Sequence, residues 1–323
     1  MPSRPPTRPE ATGETILETK DGVLLIDKEP GMTSHDVVQR IRRLVGQKKA
    51  GHCGTLDPNA TGLLLLTLGK ATRLTRFLIR APKVYEGVIR FGVATDTYDS
   101  TGEVTAEAST EGLTHEDVVR AMATFEGTIE HAAPPYSAKK VGGKKLYELA
   151  RQGEEVPRES KEVIVYEFGL ADPAARLDDD RIAFRLACAS GTYARTLAHD
   201  LGAKLGCGAH LEALRRVKIG PFELSDAVTL GELAEALESG AGPGVAWVPF
   251  DRVPLPFGEV VADHRQEERV RHGQTVLVRE LEGEEGDWIR LVNRREELIA
   301  VGTVVERIGD RGVGIIQPRV VFA

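Results

Sequence analysis

Residues 51–62 read Gly51-His52-Cys53-Gly54-Thr55-Leu56-Asp57-Pro58-Asn59-Ala60-Thr61-Gly62 and lead straight into the apolar run Leu63 to Leu68. One carboxylate, Asp57, therefore sits on a Gly- and Pro-bounded loop at the mouth of a buried strand, where a rigid scaffold commonly presents chemistry. Taken alone, Asp57-Pro58 also reads as a turn starter. Its surroundings weigh against that simple reading. Between Lys28 and Arg90 stand twelve Lys and Arg (Lys28, Arg40, Arg42, Arg43, Lys48, Lys49, Lys70, Arg73, Arg76, Arg80, Lys83, Arg90) against Glu29, Asp36, Asp57 and Glu86, a local balance of +8 in a chain whose total is −7. Such segregation implies a surface that faces a polyanion.

With 323 residues, 41% hydrophobic and 28% charged, the chain can bury a substantial core and is long enough for two domains. No apolar run reaches the roughly 18 residues that span a bilayer, and the N-terminus lacks the apolar core of a signal peptide, so the expected place is the cytoplasm, with no membrane partner. Cys53, Cys188 and Cys207 are odd in number and form no CxxC pair, which argues against a disulfide framework or a zinc knuckle. His52 beside Cys53 has no further ligand at usable spacing, so no metal is expected.

Residues 1–20, rich in Pro, Arg, Thr and Glu, read as a disordered tail, residues 21–248 as one domain and residues 249–323 as a second. Gly22 to Asp27 is a short buried strand. Thr33-Ser34 caps a helix with Val37, Val38, Ile41, Leu44 and Val45 on one face and a basic opposite face. Ala71 to Leu78 reads as helical with Arg73, Arg76 and Arg80 outward, and Val84 to Ala94 as a strand with Tyr85, Ile89, Phe91 and Val93 on one side. The acidic stretch Thr97 to Glu130, with a helix near His115 to Phe125, reads as a solvated side away from any nucleic acid.

Pro134 to Tyr147 interleaves aromatics with Lys139, Lys140, Lys144 and Lys145, a composition suited to stacking on unpaired bases and contacting phosphates. Ile182, Phe184, Leu186 and Cys188 form a strand that ends at Ser190-Gly191, after which Thr192 caps a helix. Arg195 falls in that helix's first turn, where a cation opposes the dipole and calls for an anion outside the helix. Asp57 is the candidate. Asp200 is the local alternative, although five residues along a helix does not put two side chains on one face. Beyond the Gly/Pro cluster at 241–244, the short segments Thr275 to Val278, Trp288 to Val292, Leu298 to Val305 and Gly314 to Phe322 imply a compact β-barrel. From Pro249 onward eleven Arg meet fourteen Asp and Glu, so strong general affinity for nucleic acid is not written in that unit's charge.

Several segments together resemble the bacterial TruB family of tRNA pseudouridine-55 synthases: residues 22–34, residues 51–58, Lys83-Val84-Tyr85, Ser190 to Thr196, Gly206 to Leu211 and Leu214-Arg215-Arg216. The resemblance runs from Gly22 over nearly the whole chain. It implies an α+β fold, with a mixed, largely antiparallel sheet flanked by helices and a small C-terminal PUA-like β-barrel. It also implies that Asp57 is the essential aspartate, Tyr85 the aromatic that stacks on the target base, and Arg195 the partner of Asp57. Tyr193 and Leu214 would line the uracil pocket, His52 would fill the space left by flipped bases, and Lys28 and Lys140 complete the substrate-binding set. The implied substrate is the T-arm stem loop of tRNA, bound by a monomer without cofactor or obligate protein partner, and a tRNA-folding activity is compatible with it. The segment from His131 to Gly153 corresponds to the part that closes over the T arm. His131 and Ala133 stand where the family usually has Gln and the first Pro of a pair. A catalytic subunit of a guide-RNA particle shares the same motifs, and an RNA-folding module is the reading from another class.

Overall fold

The computed structural model describes residues 20–136, 140–141, 144–145, 160–172, 174, 176–309 and 312–322. The expected tail, apart from Lys20, and most of the basic loop lie outside the described residues. In chain order the strands are β1 (Gly22–Lys28), β2 (Ala50–His52), β3 (Thr61–Leu68), β4 (Lys83–Phe91), β5 (Val93–Thr95), β6 (Val104–Glu107), β7 (Gly127–Ala132), β8 (Lys140–Val141), β9 (Lys144–Lys145), β10 (Ser160–Leu170), β11 (Arg181–Cys188), β12 (Ala209–Ile219), β13 (Phe222–Glu223) and β14 (Trp247–Pro249). Ten of them make one sheet in the order β14-β1-β3-β12-β4-β11-β10-β7, with β2 beside β3 and β13 beside β12. Every pairing in it is antiparallel except β3 with β12, where Thr61 and Gly62 lie opposite Arg215 and Arg216. There Gly62 has φ +96 and a Cβ would sit 2.3 Å from the Arg216 carbonyl oxygen, so the close approach of the two strands requires glycine.

The helices are α1 (Ser34–Val45), α2 (Thr75–Leu78), α3 (His115–Ala123), α4 (Ala194–Leu205), α5 (Leu230–Glu238) and α6 (His264–Arg271). α1 begins with a capping box between Thr33 and Asp36 and ends at Gly46 in the left-handed region, and it buries Val37, Val38, Ile41 and Val45. Beyond β14, strands β15 (Gly258–Val261), β16 (Val276–Val278), β17 (Trp288–Val292), β18 (Leu298–Ile308) and β19 (Val313–Val321) form a curled half-barrel sheet in the order β15-β17-β18-β19-β16.

The apolar runs of β1 and β3 are explained by cover on both faces. Leu24, Ile26, Leu64 and Leu66 pack with Val37, Val38 and Ile41 of α1. Val23, Leu25, Leu63 and Leu65 point the other way, into a cluster completed by Val253, Leu255, Val320 and Phe322. The half-barrel thus shares a core with the large sheet. Phe77 of α2 is edge-on to Trp288 and Phe257 with ring centres 4.9 and 5.2 Å apart, and Phe250 meets Phe322 at 4.8 Å. Arg73 lies over Phe322 and Arg76 over Trp288, so these two cations face aromatic rings of the C-terminal unit.

Three local expectations change. Ala71 to Leu78 is not one helix but a 3-10 turn, Gly69–Arg73, followed by the single α-turn of α2, because Ala71, Leu74 and Phe77 recur every three residues and suit the tighter winding. The strand from Val84 stops at Phe91, since Gly92 at φ +83 turns the chain and Val93 starts the separate β5–β6 hairpin. Finally, α4 is capped by Tyr193 rather than Thr192. Strand β15 and helix α6 were not anticipated, although the capping box of Asp263 with Gln266 is a readable helix start.

Because Phe77 of the large-sheet unit is buried against two rings of the C-terminal unit, Phe77→Ala should lower unfolding stability by about 3 kcal/mol in urea titration. A loss below about 1 kcal/mol would mean that the half-barrel merely touches the sheet there.

Candidate active site

The loop between β2 and β3 is held from below by two buried cations. Lys28 is fully buried, and its ammonium donates to the carbonyls of Pro58 at 2.9 Å, Ala60 at 2.7 Å and Glu29 at 3.0 Å. Arg216, 1% exposed, donates from Nε to Leu63 O at 2.8 Å and from Nη2 to Gly54 O at 3.1 Å. Ser34, the first residue of α1, takes the Leu56 amide at 2.8 Å and donates back to its carbonyl at 3.1 Å. The backbone on either side of Asp57 is therefore tied to β1, β12 and α1, while its carboxylate points out with the side chain 42% exposed.

Arg195 meets that carboxylate from the first turn of α4. Its Nε is 2.9 Å from Asp57 Oδ2 and its Nη2 donates to Oδ1 at 3.2 Å. The anion that the helix dipole called for is thus Asp57, and the guanidinium is only 7% exposed. Its remaining donors reach further: Nη1 bonds Thr97 O at 3.1 Å and lies 3.5 Å from Asp99 Oδ2, and Nη2 bonds Tyr136 O at 3.1 Å. Asp99 was not anticipated. It lies in the stretch read as a solvated acidic side, and no sequence signal links it to Arg195. Its Oδ1 is fixed by Thr97 Oγ1, the Thr101 amide and Thr101 Oγ1.

Two small recesses of about 60 and 30 Å³ share Asp57, Arg195 and Leu214. Tyr85 and Tyr193 line the larger, and Asp99 lines the smaller. Five of the expected residues, Asp57, Tyr85, Arg195, Tyr193 and Leu214, therefore converge. Lys28, expected among the substrate-binding residues, does not: its ammonium is spent on the loop carbonyls beneath Asp57 and is closed to a ligand. His52 ends β2 half-buried and lines neither recess. Lys140 has its backbone in β8, and its side chain lies outside the described residues.

Burial biases these groups toward their neutral forms. Desolvation pushes the Asp57 carboxyl above the usual aspartate range; Arg195 opposes this, Asp99 adds to it and Lys28 opposes it again. Burial likewise raises the Tyr85 hydroxyl and lowers His52 and Lys28. His131 is brought down to about 4, chiefly by burial, so it is neutral, and its Nε2 accepts the Tyr193 amide at 2.8 Å. An imidazole from β7 thus takes the amide of Tyr193, the N-cap residue of α4, a helix that carries no side-chain cap hydrogen bond.

The family model described as TruB family pseudouridylate synthase, N-terminal domain, matches residues 42–194, and that of the tRNA pseudouridylate synthase B C-terminal domain matches residues 195–246. A relative from Solibacter usitatus called tRNA pseudouridine synthase B is 42% identical over 286 residues, 88% of this chain and 96% of that one. One of the same name from Symbiobacterium thermophilum is 48% identical over 265 residues, 80% and 84% of the two chains. Among solved structures, a chain of a Cbf5-Nop10-Gar1 complex superposes with TM-score 0.72 at 25% identity, covering 97% of this chain and 91% of that one.

Since Asp99 is a like charge beside Asp57, Asp99→Asn should move the Asp57 titration to lower pH. Carboxyl-carbon NMR would read this directly, and an upward move or none would show that Asp99 does not act on Asp57 electrostatically.

Proposed function

The chain belongs to the TruB family of pseudouridylate synthases and isomerises uridine to pseudouridine in tRNA, and from that premise we propose that its target is position 55 of the T loop and that Asp57 is the catalytic carboxylate. One observation carries the assignment: among the described residues, the one carboxylate shared by both recesses is held by two donors of a buried guanidinium. The reaction breaks the N1–C1′ bond, turns the base and forms a C5–C1′ bond, while C5 gives up a proton and N1 gains one. Bonds broken and made are alike and nothing is oxidised or hydrolysed, so a single carboxylate suffices. Glycoside hydrolysis, by contrast, normally uses two carboxylates flanking the bond.

Arg195 keeps Asp57 ionised against burial, because an opposite charge within contact distance favours the charged form. The sign for catalysis follows from the raised pKa: activity is present above it and is lost as pH falls through it. A uridine in a folded loop is reached only by flipping it out, at a cost of a few kcal/mol in lost stacking, and Tyr85 and Tyr193 offer rings beside the carboxylate to offset this. On the same reading His52 fills the space left in the loop, Lys140 contacts the RNA, and the enzyme acts in the cytoplasm as a monomer. Residues 21–248 carry the chemistry, and residues 249–323 form the PUA-like unit that braces it.

The basic face is narrower than the charge count implied. Lys28 and Lys83 are buried, Arg42 donates to Ala50 O at 2.9 Å, and Arg73 and Arg76 face aromatic rings. Arg40, Arg43, Lys48 and Lys49 remain exposed along α1 and the turn after it. The double change Arg40→Glu with Arg43→Glu should weaken T-arm binding for any loop sequence, reduce the salt slope by about two or more, and leave turnover of bound RNA near wild type. Lost turnover at saturation would give this face a role in chemistry.

Asp57→Asn preserves size and polarity but removes the charge. Release of the C5 hydrogen from the target uridine should fall by roughly a thousandfold or more, with binding retained, since phosphate contacts do not involve Asp57. Wild-type release would overturn the mechanism, and joint loss of binding and release would make Asp57 a structural turn residue.

A further inference from the structure

Tyr98 is a bulky residue with φ +65, in the left-handed region that such side chains rarely enter. It is 5% exposed and lies between Thr97 and Asp99, the two residues that meet Arg195 Nη1. Outliers of this kind persist only where their surroundings over-determine them. The surroundings here are specific. The Tyr98 ring lies parallel to the His199 imidazole, with centres 3.7 Å apart and planes 12° apart, and its carbonyl accepts the Leu211 amide of β12 at 3.0 Å. His199 stands four residues after Arg195 on α4, so one face of one helix presents a guanidinium and an aromatic ring to the same three-residue turn.

We propose that Tyr98 and His199 are positioning residues for the reaction: their stack holds the turn in its left-handed form and thereby fixes the Thr97 carbonyl and the Asp99 carboxylate on Arg195, which in turn aims Asp57. This rests on the reading of Asp57 as the catalytic carboxylate. The backbone dihedrals of Tyr98 link the two groups that Arg195 Nη1 touches. If they relax to ordinary values, both groups cannot keep their places. Thr95 Oγ1 to Asp99 O at 2.7 Å and the Thr97 and Thr101 bonds to Asp99 Oδ1 tie the turn to itself, whereas Arg195 and the Tyr98–His199 stack tie it to α4.

The test separates positioning from packing by choosing residues that differ in their tolerance of positive φ. Tyr98→Ala loses the ring and still disfavours the left-handed region; Tyr98→Gly loses the ring but accepts it freely. Single-turnover C5-hydrogen release on a T-arm stem loop should fall about tenfold or more in Tyr98→Ala, with RNA affinity within about twofold, because small misplacements at a reacting centre carry large rate losses. Tyr98→Gly should recover a good part of that loss, Tyr98→Phe should stay near wild type, and His199→Ala should resemble Tyr98→Ala. His199→Phe, which keeps a stacking ring and cannot titrate, should restore the rate.

Loss of packing alone would leave Tyr98→Gly no better than Tyr98→Ala, and that order overturns the proposal. So does a wild-type rate in Tyr98→Ala when Asp57→Asn is inactive. Full activity in Asp57→Asn would instead remove the catalytic reading on which the proposal stands, so the two failures are distinct.

Discussion

Two buried cations govern the architecture of the site. Lys28 and Arg216 are the largest fully buried charged side chains, and a charge inside a protein persists only when its hydrogen-bonding capacity is filled. Here main-chain carbonyls fill much of it, those of Gly54, Pro58, Ala60 and Leu63 among them. Satisfying the cations therefore shapes the loop: its carbonyls turn inward on both sides of Asp57, leaving that carboxylate as the group that faces out. The same arrangement explains the tight crossing of β3 and β12 at Gly62, because Arg216 must lie close enough to reach under the loop.

Much of this was legible in the sequence where one local rule sufficed. The helix cap at Thr33-Ser34, the apolar runs of β1 and β3 and the strand Trp288–Val292 stand where local chemistry, periodicity and composition put them. The Asp57–Arg195 pair was legible for a different reason: a cation in the first turn of a helix is electrostatically misplaced until an outside anion answers it. What escaped was non-local. Asp99 sits among threonines in an acidic stretch, and only the fold carries it to Arg195. Lys28 counted as one more surface cation because composition cannot tell an exposed lysine from one dissolved in carbonyls. The break at Gly92 depended on a backbone angle that an alternating pattern does not reveal.

Charge counting misled in a related way about the C-terminal unit. Arg73 and Arg76 contribute to the positive balance of the N-terminal half, yet their guanidiniums lie on Phe322 and Trp288, across the seam between the two sheets. The seam combines flat cations with rings above a shared apolar cluster. The half-barrel therefore has a mechanical part to play whatever its own balance of −3 does for RNA.

The position of β12 bears on how the protein can be made. It lies in the large sheet between β3 and β4, which are neighbours in sequence, and Arg216 finds its partner Gly62 about 150 residues earlier. During translation both of those strands leave the ribosome long before the strand that separates them, and β14 arrives later still to cover β1. The nascent chain must keep apolar strand edges apart and unpaired through that interval, when edge-to-edge association is the standing hazard. A sheet completed from its middle at a late stage makes synthesis, rather than the finished molecule, the period of greatest exposure to misassembly.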